Sequence, residues 1–271
     1  MMGLIIKKQD GTKINTNDFG LRLVSFSPNS LPYEVQTEDV EGRAGAIDAG
    51  TKIGVRPLDA EFNFWGKNEY DFVLFRDEIF NLFHSDKPFY VIDELEPGKQ
   101  WYVKVDPYTL ERIKYVKGNV KITFKALYPY AESIGTTLTS KTFTSDVWQI
   151  GQGLITEDLV YTFTTNTFSI YNAGYTEIDP REVPLTISVQ GASSNLIIKN
   201  KTNGDTWSYN GTTASNDTIK IEGIRSTKNG LSIFKNTNRQ LIRINKGWND
   251  FELTGATGSI TTSFDFKFYY L

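Results

Sequence analysis

The sequence predicts an all-β protein with one α-helix, built as an N-terminal β-sandwich-like domain followed by a C-terminal antiparallel β-sandwich. Three observations predict it. Short runs of β-branched and aromatic residues recur between Gly, Pro, Asn and Asp turn signals along almost the whole chain. Only one segment, about residues 68–83, combines a capping residue with a 3.6-residue apolar period. The length of 271 residues suggests two domains, and the polar run Gly135-Thr136-Thr137-Leu138-Thr139-Ser140 marks the boundary. The expected division is 1–134, a linker at 135–142, and 143–271.

The first half alternates strands and turns. Residues 2–8 form a strand closed by Asp10-Gly11, a hairpin signal. Residues 21–27 alternate as a strand, placing Leu21, Leu23 and Ser25 on one face and Arg22, Val24 and Phe26 on the other. Pro28-Asn29-Ser30-Leu31-Pro32 breaks that strand. Residues 55–65 form the next long strand. Asn68 caps the helix, Asp71 sits near its positive end, and Phe72, Phe75, Ile79, Leu82 and Phe83 make its core-facing stripe. Residues 89–92, 101–105 and 120–127 continue the sheet, with Pro97-Gly98 as a tight turn.

Between two of these strands lies the most informative stretch, residues 42–56. Gly42, Gly45, Gly50 and Gly54 stand at spacings of three, five and four. No Gly-Lys-Ser/Thr follows and the G-x-G-x-x-G spacing is absent, so it is no phosphate loop. It reads as a long twisted hairpin whose tip projects from the sheet. The arm is too poor in apolar residues to pack as a core pair. Gly42, Arg43, Gly45, Asp48, Gly50, Gly54 and Arg56 are therefore the candidate subunit-interface residues, with Arg43, Asp48 and Arg56 able to form ion pairs across a seam.

The second half offers β-rich runs at 160–164, 167–172, 183–189, 196–200, 206–209, 218–222, 232–234, 240–244, 250–254 and 263–270. Their spacing fits an antiparallel sandwich. The terminal Phe264-Asp265-Phe266-Lys267-Phe268 alternates as a core or seam strand.

Composition removes whole classes of function. Cysteine is absent, which excludes disulfides, thiol nucleophiles and cysteine metal sites. His84 is the one histidine, at the expected helix end, so one chain cannot supply a multi-His metal centre. The net charge is -3, with no basic excess of the kind nucleic-acid binding requires. No apolar run approaches the ~20 residues of a membrane span, and the first residues read as a short strand, so cytoplasmic synthesis without export is expected.

In order, the Gly-rich hairpin, the lone helix, Asp93-Glu94-Leu95-Glu96-Pro97-Gly98-Lys99 and Leu127-Tyr128-Pro129-Tyr130-Ala131-Glu132-Ser133 resemble the distal tail protein (Dit) family of long, flexible-tailed phages. In the second half, Phe168-Ser169-Ile170-Tyr171-Asn172-Ala173-Gly174, Asn200-Lys201-Thr202-Asn203-Gly204-Asp205 and Lys246-Gly247-Trp248-Asn249-Asp250 resemble its galectin-like C-terminal sandwich. The resemblance implies a hexameric ring at the virion tail tip, formed by the N-terminal domain. That ring joins the tail tube protein to the tail-associated fibre or lysin protein and, in some phages, to a receptor-binding protein. Its lumen passes DNA without specific binding. No catalysis, cofactor, metal or membrane insertion is implied.

Two other classes stand beside this reading. A carbohydrate-binding adhesin would use an exposed aromatic platform. Among Trp148, Trp207 and Trp248, buried core anchors are expected, with Trp248 the best placed for sugar contact in its Gly-Trp-Asn turn. A tail-tip hydrolase would need paired carboxylates. Asp93 with Glu94 and Glu157 with Asp158 are adjacent acids, but neighbours on a strand point to opposite faces. No catalytic residues are assigned.

Overall fold

The computed structural model describes residues 3–141, 147–154 and 159–271. Two compact units emerge, Met1–Glu132 with Leu271, and Ser133–Tyr270.

The first unit contains β1 (Leu4–Lys7), β2 (Lys13–Asn15), β3 (Arg22–Pro28), β4 (Tyr33–Asp39), β5 (Ala46–Ile53), β6 (Arg56–Trp65), α1 (Glu69–Leu82), β7 (Phe89–Asp93), β8 (Lys99–Val105), β9 (Leu110–Arg112) and β10 (Lys117–Ala126). Strand β11 (Ala131–Ser133) falls at the divide. The main sheet runs β2-β1-β7-β8-β10-β6-β3, with β9 added to β10. The central pair β6–β10 is in unbroken antiparallel register from Arg56↔Ala126 to Trp65↔Lys117. Along β6, Leu58, Ala60, Phe62 and Phe64 alternate into the core. At Gly118, opposite Phe64, a side chain is impossible: an added Cβ would lie 2.2 Å from the Phe64 ring.

The helix forms where its sequence signals place it. The Asn68 side chain accepts from the Asp71 amide at 2.9 Å, and Asp71 Oδ2 accepts from the Lys67 amide at 2.6 Å. These two bonds satisfy two amides at the helix entry, those of Asp71 and Lys67. Phe72 stacks on Phe64 at 5.2 Å, Phe83 lies 5.9 Å from Phe62 and 5.8 Å from Phe124, and Ile79 is fully buried. Phe75 differs from the expected core position. It is half-buried, packed against Phe19 at 5.6 Å and Phe64 at 5.6 Å, because the helix lies over β6 along the Phe72–Ile79–Leu82 stripe.

Strand β3 corrects the expected alternation. A bulge between Leu23 and Ser25 sets Leu23 opposite Phe62 and Phe26 opposite Ala60. The extra residue inverts the phase, so Phe26 rather than Ser25 is half-buried.

The second unit contains β12 (Thr162–Phe163), β13 (Thr167–Asn172), β14 (Leu185–Asn200), β15 (Thr206–Ser208), β16 (Thr212–Thr213), β17 (Thr218–Glu222), β18 (Arg225–Lys228), β19 (Leu231–Ser232), β20 (Gly247–Phe266) and β21 (Tyr269–Tyr270). Two strands, β14 and β20, are far longer than the separate short runs expected. They pair from Leu185↔Phe266 to Asn200↔Phe251, with register shifts between Gly191 and Ile197. Gly191, Asn195 and Gly255 take positive φ there, at 141°, 52° and 87°. The irregularity bends the pair, so one half carries β12 and β17 and the other carries β13 and β15. Phe251 and Phe264, from opposite halves of β20, meet at 4.8 Å, and Phe168 of β13 reaches Phe264 at 5.7 Å. A sandwich core thus arises from one folded ribbon. The expected strand at 240–244 is absent; Ile244 makes only an isolated bridge to Ile178.

Residues 135–141, expected within the linker, carry buried side chains. Thr137 Oγ1 donates to the Phe264 carbonyl at 2.6 Å and accepts from the Phe266 amide at 3.1 Å, while a Cβ on Gly135 would meet Trp148 at 2.6 Å. Met2, Thr142, Phe143, Glu157 and Asp158 lie outside the described residues.

Candidate functional site

The hairpin β4–β5 is a two-stranded sheet of its own, exposed along nearly its whole length. Tyr33 pairs with Ile53, Val35 with Thr51, Thr37 with Asp48 and Asp39 with Ala46, so these side chains share one face. Glu34, Gln36 and Glu38 line the other with Lys52 and Ile47. Tyr33 is 60% exposed and Val35 59%. An apolar patch on a ribbon this thin gains nothing from its own chain. A two-stranded hairpin in water is marginal without a third layer. Residues 33–53 carry five acidic and two basic side chains, so the arm is locally acidic.

The structure separates the candidate interface residues. Gly42 and Gly45 take positive φ (84° and 78°) at the tip, where Arg43 is exposed and makes no ion pair among the described residues. Gly50 takes φ 127° beside the bulge between Gln36 and Thr37, and Asp48 Oδ1 accepts from its amide at 2.9 Å. Asp48 therefore shapes the arm. Gly54 closes the root through its amide to the Pro32 carbonyl at 2.9 Å. Arg56 is placed differently. It starts β6, is 7% exposed, and stands apart from the hairpin. Its Nε donates to the Asn29 carbonyl at 2.5 Å, its Nη1 to the Pro129 carbonyl at 3.2 Å, and its guanidinium lies 5.0 Å from the Trp101 ring centre. Burial pulls its pKa down. Neutral carbonyls and an indole hold the charge inside the domain.

Trp207 and Trp148 are core anchors, at 1% and 4% exposed. Trp248 is not: it is 50% exposed and tilts against Tyr171 at 5.1 Å. Its position on β20 opposite Tyr171 turns it outward, while Asn249 beside it is fully buried. Lys246 Nζ lies over the exposed Tyr175 ring at 4.5 Å.

The acidic pair Asp93 and Glu94 is committed to structure. Glu94 accepts from the Gly3 amide and from Asn15 Nδ2, both at 2.5 Å, and Asp93 accepts from the Leu95 amide at 3.0 Å. Burial raises the Asp93 pKa. His84 is exposed, 3.6 Å from Asp86. Among the described residues no group of three His, Asp or Glu side chains is placed to hold a metal, and no helix is long and apolar enough to cross a membrane.

Two surface features were not anticipated. One is a cleft of about 400 Å³ lined by Asp179, Arg181, Asp205, Arg239 and Arg243, where Arg181 is tied to Asp179 and Arg243 to Asp205. The other is a basic and aromatic patch at the far end of β6 and the β9–β10 turn. The alternating run Arg112-Ile113-Lys114-Tyr115-Val116-Lys117 was the available signal for it.

Comparison with known proteins agrees with this architecture. Residues 9–126 match the family described as phage tail protein RIFT-related domain. The chain superposes on the Dit protein of phage SPP1, described as a paradigm of the hub adsorption apparatus in phages infecting Gram-positive hosts. The TM-score is 0.73 with 14% identity, covering 99% of each chain. Two structures of the phage p2 baseplate in its activated conformation, with strontium and with calcium, give TM-scores of 0.47 and 0.43 at 12% identity. They cover 98% of this chain and 98% and 97% of theirs. No curated protein matches. Residues 9–126 are thus similar to the phage tail protein RIFT-related domain, and the chain shares the fold of the SPP1 Dit protein along its full length.

Proposed function

We propose that this protein is a structural, non-catalytic component of the phage tail tip that assembles as a closed ring through its N-terminal unit.

 The ring is hexameric, and one head-to-tail interface repeats around its axis. The carrying observation is the arm β4–β5, which exposes Tyr33 and Val35 on one face and Ile47 on the other and is exposed along nearly its whole length among the described residues. Burying such a face against a neighbouring copy supplies the layer that a lone hairpin lacks. In this reading the ring sits at the virion tail tip. It joins the tail tube protein to the tail-associated fibre or lysin protein and to a receptor-binding protein, and DNA passes through its lumen. A net charge of -3 suits such a wall, because a strongly basic lumen would retain the phosphate backbone. The domain division 1–134 and 143–271 belongs to the same proposal: the first part builds the ring and the second is displayed from it. Light scattering with negative-stain imaging of the purified chain tests this. Rings support the reading, and a monomer at high concentration overturns it.

A second reading is favoured by Trp248. An exposed indole beside Tyr171 offers a stacking surface for the apolar face of a sugar, as a carbohydrate-binding adhesin requires. Retention of the chain on host-wall polysaccharide, lost in Trp248→Ala, would support it.

A further inference from the structure

A head-to-tail ring needs two different surfaces on each copy, and the arm is only one of them. We infer that the second is the basic and aromatic patch at the distal end of β6, and that its occupant is the acidic arm of the next copy. This inference rests on the ring reading above. Three observations carry it.

The patch is unusual for a solvent-facing surface. At the end of β6 and the adjoining β9–β10 turn, Trp65 is 47% exposed, Ile113 51% and Tyr115 67%, large apolar side chains left to solvent where interaction sites are found. Lys67 and Lys114 are exposed beside them, and Lys117 Nζ lies 5.6 Å from the Trp65 ring centre. Arg112 is already spent on Glu69 at 3.1 Å. Among the described residues, Lys67, Lys114 and Lys117 have no ion-pair partner.

The arm is complementary. One face sets Asp39 and Asp48 beside the apolar Tyr33 and Val35, the other sets Glu34 and Glu38 beside Ile47, and with Glu41 near the tip these five acids outnumber Arg43 and Lys52. Aromatic and aliphatic contacts ringed by opposite charges are the ordinary makeup of a specific interface.

The geometry favours a second copy over the chain's own patch. The arm leaves the sheet next to Arg56, at one end of β6, and the patch surrounds Trp65 at the other. Nine residue steps of extended strand separate them, about 30 Å. Tyr33 and Val35 stand within the first residues of the arm's root, far short of that distance. Arm and patch at opposite ends of one rigid strand are what a repeating head-to-tail contact uses.

The test uses full-length chains with opposite charge reversals. One copy carries Lys114→Glu and Lys117→Glu; the other carries Glu38→Lys and Asp39→Lys. These positions are exposed or half-exposed, so both variants should fold, which far-ultraviolet circular dichroism and melting temperature verify. Each alone should assemble at least tenfold more weakly than wild type by light scattering at physiological salt. Mixed in equal amounts, they should assemble again, because each acidic arm then meets a basic patch and each basic arm an acidic one. Wild-type rings that neither reversal weakens, or weakened variants that mixing does not restore, would overturn the docking inference and leave the ring reading standing. A wild-type chain that stays monomeric would overturn both.

Discussion

At the scale of single residues, exposure and partners decide roles that residue type leaves open. Phe75 belongs to the helical stripe, yet it is half-buried between Phe19 and Phe64. Phe75→Ala should therefore cost ~2 kcal/mol, below the ~3–5 kcal/mol of a fully enclosed phenylalanine, by thermal or denaturant unfolding. Ile79→Ala, at a fully buried position, should cost ~2–5 kcal/mol in the same measurement. Trp248 is the reverse case. Half its surface is in water, so Trp248→Ala should lower stability by under ~1 kcal/mol, whereas Trp207→Ala should cost ~3–5 kcal/mol. Asp179 gives a pH dependence. Its carboxylate accepts from Arg181 Nε at 3.0 Å and from the Arg181 amide at 2.9 Å, and these bonds hold its pKa below the usual carboxylate value. A depressed folded pKa means stability that is present above the unfolded value, about 3.9, and lost as pH falls through the folded one. Asp179→Asn should flatten the acid limb of the unfolding curve below about pH 4 and leave its slope at neutral pH unchanged.

At the scale of elements, the arm is the part whose removal separates folding from assembly. Its strands are exposed on both faces, and its root is closed by the Gly54 amide on the Pro32 carbonyl. Replacing residues 35–51 with a two-residue Asn-Gly turn should change the melting temperature little, since almost no apolar area is lost from the core. The same deletion should abolish ring formation. A truncated chain that still forms rings would place the interface elsewhere. The helix behaves differently: its cap, in which Asn68 accepts from the Asp71 amide and Asp71 from the Lys67 amide, and its stack on Phe64 tie it into the sheet.

At the scale of the whole molecule, two units of different design follow one another. The first is a sheet with one helix packed on it and one hairpin set free. The second is a long two-stranded ribbon folded on itself, closed by the Phe251–Phe264 contact. The reading above assigns assembly to the first. Residues 1–132 should then oligomerise in light scattering, while residues 133–271 remain monomeric. An oligomeric second unit beside a monomeric first would reverse that assignment.

By itself the sequence determined what local chemistry controls. The helix follows from its cap and its 3.6 period, β13 and β17 from alternation bounded by turn residues, and the arm's tip from glycines that permit positive φ. The absence of cysteine and the single histidine likewise restrict chemistry before any fold is known. Tertiary structure alone decided features that depend on partners distant in the chain. One bulge in β3 exchanged Ser25 for Phe26, because a single extra residue inverts a period of two. Arg56 reads as part of a charged arm, but the Asn29 and Pro129 carbonyls and the Trp101 ring, all far away in sequence, claim it for the interior. The joining of several short runs into β14 and β20 required each to pair with the other through their bend, and no local signal encodes that. Trp65 gained a lysine over its ring only when the register set it opposite Lys117, with the β9–β10 turn beside the end of β6. Local pattern fixes which elements form; the pairing of remote segments fixes which side chains are left facing water, and those are the ones available for function.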